Sequence, residues 1–418
     1  MGDAHSTLQP SFVKVRSVIV FVYNSSQDPL FKGNLLLFLQ NAGRQQTDLR
    51  LHLITFEQVQ YQLSPSAQAR QSVEWAADNI IWHPLRWHSG SFKLLKKTYD
   101  LVMGLLLCLR LRMSGARSIM SLGTVAGSFA LMIAKLLGLR YYGYQFEPHS
   151  EFMLDCNVWP ASSMAYRGLH YLEGLTSRHA DILSTGTHHM MARLAAEGSP
   201  ARTYLLPSCV DDQRFQFSAT GRSRVRARYG LSERQPVVLY LGKFGGIYYD
   251  DEIGEFFAAL RQHLPALHLL VVTPDPPAHI EAGLQRAGLV PGAYTITRCP
   301  YEEVPDYISA ADFGLVAVPP LPSQRFRSPI KVGEYLCCGL PYLVCRGVSE
   351  DDTVALRDGV GVVVEAFNPV AAQLAAPQLA AFLAEDKPVL RTRCRTAGIA
   401  YRGLDQFVPV ADEIFRQL

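Results

Sequence analysis

Residues 328–344 read Ser-Pro-Ile-Lys-Val-Gly-Glu-Tyr-Leu-Cys-Cys-Gly-Leu-Pro-Tyr-Leu-Val. Ser328 suits a helix N-cap and Pro329 the first helical position. The stretch therefore predicts a short helix, a Gly-Leu-Pro break and then a buried apolar strand. Lys331 and Glu334 fall in the first two turns. There, outward-pointing backbone N–H groups favour an anion. A phosphate on the backbone of Ser328, Pro329 and Ile330, Lys331 on its charge and Glu334 on a sugar hydroxyl make a coherent nucleotide-sugar site. The plain alternative is an ordinary capped helix of an α/β domain.

Working outward, the stretch sits in a regular alternation. Apolar strands are expected at 237–241, 267–273, 294–297, 313–316, 342–344 and 361–364, with helices between them, among them 251–263, 280–287, 302–310 and 369–385. The first half follows the same logic, with strands at 15–22, 49–56, 80–85, 117–122, 140–146 and 180–184. Helical patterns fall at 34–41, near 92–113 and from about 123 to 137. Strands alternating with helices of this length imply parallel sheets covered on both faces. The boundary is placed near Leu205-Leu206-Pro207-Ser208. A strand ends there and a polar, Arg-rich stretch runs from 213 to 234. Two such domains facing across a cleft place ligands just after the carboxyl ends of strands.

The candidate residues sit at those ends. Leu241-Gly242-Lys243-Phe244-Gly245-Gly246 follows the strand at 237–241. Its glycines let the backbone approach a ligand and Lys243 can neutralise a phosphate, although neither GxxxxGK[ST] nor GxGxxG is present. Cys299-Pro300-Tyr301 can offer backbone groups to a base edge and an aromatic face to stack on it, or form a plain Pro-capped turn. Phe146-Glu147-Pro148-His149-Ser150-Glu151 follows the aromatic strand, so His149 can meet a sugar hydroxyl or leaving-group oxygen while Glu147 or Glu151 orients its ring. Asn24 and Ser25 after the first strand, and Thr185 after the strand at 180–184, are further acceptor-side candidates. His188 and His189 are adjacent on a helix and so face different ways. Trp82, His83, Trp87 and His88 can line an acceptor surface or simply pack. HExxH, DxD and spaced His/Cys sets are missing, so no metal and no cofactor is expected.

The chain has 418 residues, 48% hydrophobic and 18% charged, which describes a globular protein of about two domains. A net charge of +3 gives no nucleic-acid signature. Residues 1–206 hold 19 Lys/Arg against 13 Asp/Glu, leaving −3 for the remainder. A mildly basic first half can face a lipid surface or an acidic glycan, or reflect ordinary surface variation. Eight cysteines without a CxxC read as buried reduced thiols and a cytoplasmic protein. Residues 1–13 are polar and lack the apolar core of a signal peptide. The longest apolar run, 101–109, is too short to cross a bilayer. Residues 92–113 (FKLLKKTYDLVMGLLLCLRLRM) are apolar with bases at both ends. They suit either a packed helix or one lying on the inner face of the plasma membrane.

Together LLPSCVDDQRF (205–215), YLGKFGGIYYD (240–250), VPDYISAADFGL (304–315) and SPIKVGEYLCCGLPYLV make the chain similar to the family-4 retaining glycosyltransferases of the GT-B fold. The resemblance covers nearly the whole length. It implies an acceptor domain of 1–206, to which about 401–418 return, and a donor domain of 207–400. It implies Glu334 on the donor ribose, Lys243 on the diphosphate, Ser328–Ile330 near the phosphates and His149 near the donor sugar. Phe326 stands where the first glutamate of the family's pair belongs, and Asn24-Ser25-Ser26-Gln27 replaces its glycine loop. A Ser-Pro-x-Lys subset of the family puts Lys331 in place of the missing charge. The implied reaction is metal-independent transfer from a nucleotide diphospho-sugar to a glycan or lipid-linked acceptor in surface polysaccharide or glycolipid synthesis. A nucleotide-sugar epimerase and a silent nucleotide-sugar-binding protein remain as alternatives.

Overall fold

The computed structural model describes residues 15–28, 31–88 and 93–418, with the side chains of Asn34, Lys93 and Leu94 left aside. The polar stretch 1–13, Phe92 and residues 29–30 lie outside these. Among the described residues seven strands form one sheet: β1 (Arg16–Val22), β2 (Leu49–Glu57), β3 (Ile80–Arg86), β4 (Ser118–Leu122), β5 (Arg140–Tyr144), β6 (Ile182–Thr185) and β7 (Arg202–Leu205). Six more form a second: β8 (Val237–Leu241), β9 (His268–Val272), β10 (Tyr294–Thr297), β11 (Phe313–Val316), β12 (Tyr342–Cys345) and β13 (Gly361–Val364). The orders are β3-β2-β1-β4-β5-β6-β7 and β10-β9-β8-β11-β12-β13. In both sheets the first strand is central and pairs in parallel with its neighbours on either side, Val18 opposite Leu51 and Ser118, and Val238 opposite Leu269 and Phe313. The strand order reverses there, at β1/β4 and β8/β11, which is where open parallel sheets leave room for a ligand.

Helices connect the strands of the first half: α1 (Leu36–Gln45), α2 (Pro65–Ala76), α3 (Lys93–Met113), α4 (Gly123–Leu137), α5 (His149–Asp155), α6 (Met164–His179) and α7 (His188–Ala196). The second half carries α8 (Ala219–Arg228), α9 (Asp251–His263), α10 (Pro277–Arg286), α11 (Val304–Ala310), α12 (Ile330–Cys337), α13 (Asp351–Arg357), α14 (Pro369–Ala384), α15 (Lys387–Arg402) and α16 (Leu404–Arg416). The central strands, such as β1, β4, β8 and β11, are largely buried runs, as parallel strands covered on both faces must be, whereas the edge strands β3, β7 and β10 are only partly buried. By their contacts the residues group into Met1–Gly143 with Asp412–Leu418, and Tyr144–Ala411.

The Arg-rich stretch at 213–234 is not merely a polar boundary, because it contains α8. Ser218 caps that helix, its Oγ accepting the Gly221 N–H at 2.9 Å. Arg222 and Arg226 are buried against Asp312 at 3.2 and 2.8 Å, and against backbone carbonyls at 309–311 and at Ser232 and Gln235. A guanidinium with its donors satisfied is core material, yet it reads as surface in sequence. All eight cysteines are free, Cys156 and Cys299 half-buried and the others buried. Among the described residues no helix is long and apolar enough to cross a membrane.

Candidate functional site

The site is built on α12. This helix lies close against its surroundings because glycines leave room. A Cβ on Gly333 would stand 2.7 Å from Val210 Cγ2 and 2.8 Å from Arg402 Cβ, and one on Gly398 of α15 would stand 2.6 Å from Leu336 Cβ. The helix begins one residue later than expected. Pro329 occupies the N-cap position and has no side-chain acceptor, so Ser328 does not cap. Instead Ser328 Oγ accepts the Ser208 N–H at 3.0 Å. Gly186 presses on the same residue, since a Cβ there would come within 2.6 Å of Ser328 Cβ. Ser328 is thus the point where segments 186, 207–208 and the start of α12 meet.

Lys331 and Glu334 lie one turn apart and pair at 2.8 Å, Nζ to Oε2. Glu334 is 1% exposed, so the bond satisfies a carboxylate otherwise shut away from water. Lys243 follows β8, at the switch point of the second sheet. Its backbone is fixed: Tyr240 Oη donates to the Lys243 carbonyl at 2.5 Å, Phe244 stacks on Tyr240 at 4.1 Å, and the Phe244 N–H donates to Asp275 at 2.8 Å. Among the described residues its exposed ammonium has no side-chain partner. Gly242, Gly245 and Gly246 take φ of 153°, 68° and 66°, values that exclude ordinary side chains from this loop. Tyr301, two residues after half-buried Cys299, lies 5.9 Å from the Phe215 ring, with the Arg214 guanidinium 4.3 Å from its centroid. A cation therefore already shares the tyrosine proposed for base stacking. Arg214 was overlooked in the sequence although it stands in the LLPSCVDDQRF segment.

The loop after β5 supplies the second cluster. Glu147 is buried between the His149 ring and the Arg327 guanidinium. His149 Nδ1 lies 2.6 Å from Oε1, and Arg327 Nε 2.7 Å from Oε2. Burial pushes the Glu147 carboxyl up, but Arg327 and His149 outweigh it and hold it below the usual carboxylate value. An ionised carboxylate only accepts, so Nδ1 carries the proton and Nε2 is left for another partner. Glu147, not Glu151, therefore orients the imidazole. Glu151 is held in a two-pronged pair with Arg193, both contacts at 2.6 Å. Arg193 in turn lies 5.1 Å from the ring centre of Phe326, while the Phe326 carbonyl accepts Thr187 Oγ1 at 3.4 Å. Phe326, where the resemblance expects a carboxylate, is thus packed beneath an arginine. Arg193 and Arg327 were both missed. The pattern Arg325-Phe326-Arg327 just before Ser328 was the available signal for the second.

Three other candidates, Thr185, Ser25 and Asn24, are buried or engaged within the fold. Thr185 is wholly buried. Ser25 is also buried, its hydroxyl donating to the Phe56 carbonyl at 3.3 Å and accepting from the Gln58 N–H at 2.7 Å. Asn24 Nδ2 donates to Asp28 at 3.0 Å. The Trp/His group divides similarly. Trp82 donates to Thr55 at 2.8 Å, His83 meets His52 at 3.2 Å, and His88 pairs with Asp100 at 2.6 Å. Even so, Trp82, Arg86 and Trp87, with Glu57 and Gln68, line a cavity of about 350 Å³ at the ends of β2 and β3. His188 pairs with Glu350 at 3.1 Å while His189 faces Arg325 at 3.3 Å, so the two diverge. Among the described residues no three His, Cys, Asp or Glu side chains converge as a metal site would need.

No family model matches the chain. It is 29% identical over 198 residues to the GDP-mannose-dependent alpha-(1-6)-phosphatidylinositol monomannoside mannosyltransferase of Mycolicibacterium smegmatis, covering 44% of this chain and 49% of that protein. It is 32% identical over 188 residues to the D-inositol 3-phosphate glycosyltransferase of Salinispora arenicola, covering 41% and 40%. The chain thus matches about half, or less, of these curated relatives' length. Among solved structures, sucrose-phosphate synthase from Thermosynechococcus elongatus superposes with a TM-score of 0.71 at 16% identity, over 96% of this chain and 98% of that one. WaaG, a glycosyltransferase involved in lipopolysaccharide biosynthesis, does so at 0.66 and 17%, over 96% and 99%. The chain has the GT-B fold of these glycosyltransferases, and its curated relatives are glycosyltransferases by name.

Proposed function

We propose that this chain is a retaining glycosyltransferase of family 4, moving a sugar from a nucleotide diphospho-sugar to a hydroxyl on a glycan or lipid-linked acceptor. The observation that carries the reading is the Lys331–Glu334 pair at the amino end of α12, with Glu334 buried and Lys331 open to a ligand. In this reading the C1–O bond to the diphosphate breaks as the acceptor oxygen bonds to C1 on the same face. The acceptor proton passes to the departing phosphate oxygen. Lys331, Lys243 and the amides at the start of α12 stabilise the growing phosphate charge without a metal or cofactor. Glu334, released by Lys331, takes the ribose hydroxyls. His149, its Nδ1 held by Glu147, presents Nε2 to the donor sugar. Tyr301 and the Cys299 backbone take the base, and the glycines at 242, 245 and 246 admit the diphosphate. The work is surface polysaccharide or glycolipid synthesis, on the cytoplasmic side and peripheral to the membrane.

A screen of nucleotide sugars for thermal stabilisation, followed by mass analysis of products with candidate acceptors, tests this. One donor should raise the melting temperature and give an acceptor-dependent product. Donor conversion without acceptor, or binding without any turnover, would replace transfer by epimerisation or by a silent binding role.

A further inference from the structure

Helix α15 opens with two cations that the fold leaves without partners. Lys387 and Arg391 stand one turn apart on one side of the helix, and both are half-buried. Among the described residues neither side chain makes a hydrogen bond or an ion pair. Arg391 is nevertheless held in place. Its guanidinium lies 3.7 Å from the centre of the Phe217 ring. Its backbone seats against Gly339, where a Cβ would stand 3.0 Å from Arg391 Cβ. An arginine fixed in this way loses little freedom when its planar fork of N–H groups meets an acceptor.

More positive charge lies behind the pair. Burial first, then Arg222 and Arg226 of α8 against the opposing charge of Asp312, holds Arg391 below its usual value. Lys387 is lowered by burial and by Arg222, Arg391 and Arg226, again with Asp312 opposing. The acids of this neighbourhood are already taken. Asp312 is shared between Arg222 and Arg226 at 3.2 and 2.8 Å. Exposed Glu233 pairs with Arg222 at 3.2 Å and Glu385 with Arg393 at 2.7 Å. Asp386 turns onto the Val389 N–H at 3.0 Å, capping the helix. Arg222 and Arg226 direct their remaining donors to backbone carbonyls. Four cations are thus answered by two acids, Asp312 and Glu233, which leaves an excess of two positive charges. Like charges that are half-buried repel one another where water screens them poorly, and a dianion removes that repulsion.

We infer that Lys387 and Arg391 are the donors of an oxyanion site whose charge suits a phosphate dianion, with Arg222 and Arg226 supplying field rather than contact. Arg391 offers two parallel N–H bonds to phosphate oxygens and Lys387 a point charge beside them. The site lies apart from the donor cradle. Asp312 stands just before β11 and accepts the Val237 N–H at 3.0 Å, so the cluster is at the amino ends of the strands. Lys243 instead follows the carboxyl end of β8, and Lys331 lies in the first turn of α12. The inference stands independently of the transfer chemistry.

The test is thermal melting of the full chain against inorganic phosphate at about pH 8, where phosphate is mostly dianionic. Sodium chloride holds the ionic strength constant. The wild-type melting temperature should rise with phosphate and then level off. Lys387→Gln with Arg391→Gln should weaken the apparent phosphate affinity by about tenfold or more. If that double variant does not fold, Lys387→Gln alone, which leaves Arg391 on Phe217, should still weaken it severalfold. Lys331→Ala should keep the full phosphate response, which separates this site from the donor cradle. No rise beyond that given by chloride overturns the inference, as does a rise that the Lys387 and Arg391 substitutions leave unchanged. So does a rise that Lys331→Ala abolishes.

Discussion

Removing Glu147 leaves two side chains without the charge that holds them. Glu147→Gln strands the Arg327 guanidinium beside a buried amide and frees the His149 ring, and should cost about 3 kcal/mol of stability. The pH dependence has a definite sign. The folded carboxyl titrates below the unfolded one, so its stabilisation is complete above about 4.5 and is lost as pH falls through the folded value. Acid melts of the wild type should therefore show a loss that the Gln variant lacks. Lys331→Ala should lower turnover by about 10²- to 10³-fold through loss of charge stabilisation at the leaving group. A Lys331→Ala enzyme with full kcat would sink the proposed site. The sequence singled out His149, Lys243, Lys331 and Glu334 as candidates because each sits just beyond a strand or at a helix start. It did not show Arg193 and Arg327, because their partners lie 42 and 180 positions away in the chain.

For elements, the question is what sets the position of α12. Gly333 touches Val210 and Arg402 where a methyl has no room, so Gly333→Ala must push the helix off its neighbours. The expected cost is about 2 kcal/mol, read as a fall in melting temperature, with weakened nucleotide-sugar stabilisation because Lys331 and Glu334 ride on the same helix. The β2–β3 pair carries a different liability. Burial, and behind it the charge of His83, pushes His52 down to about 4. The unfolded chain protonates near 6.5 while the folded chain resists, so stability is full above 6.5 and declines as pH falls toward 4. Relative to His52→Gln, the wild type should lose on the order of 1 kcal/mol between pH 7 and 5 after allowance for partial exposure. Elements with a short buried apolar run, such as β1 and β8, were legible because a run of that length bounded by turn residues suits a central parallel strand. Helix α8 was not, because its inward face is arginine.

At the scale of the whole chain, the repeated strand–helix alternation was enough to give two parallel sheets, and both keep the same reversal of strand order. What no local pattern reveals, and only the resemblance implied, is a long return. Residues Asp412–Leu418 group with Met1–Gly143, where Arg16 donates to the Phe415 carbonyl at 2.7 Å and pairs with Asp48. Phe415 is buried there, so Phe415→Ala should cost about 3–5 kcal/mol. Hydrogen exchange should quicken in β1 and β4 and leave β8 and β11 unchanged. Equal acceleration in both sheets would show that the segment supports the molecule globally.

The bond between Lys331 and Glu334 gives ligand capture the character of a swap. Any anion that takes the ammonium takes it from a carboxylate already in place, so one ion pair is surrendered as another forms. The heat of binding is then a difference between two similar contacts and should be small in calorimetry. The carboxylate left behind must find a hydroxyl at the same moment, so a phosphate alone is a poor guest and a phosphate carrying a sugar diol a good one.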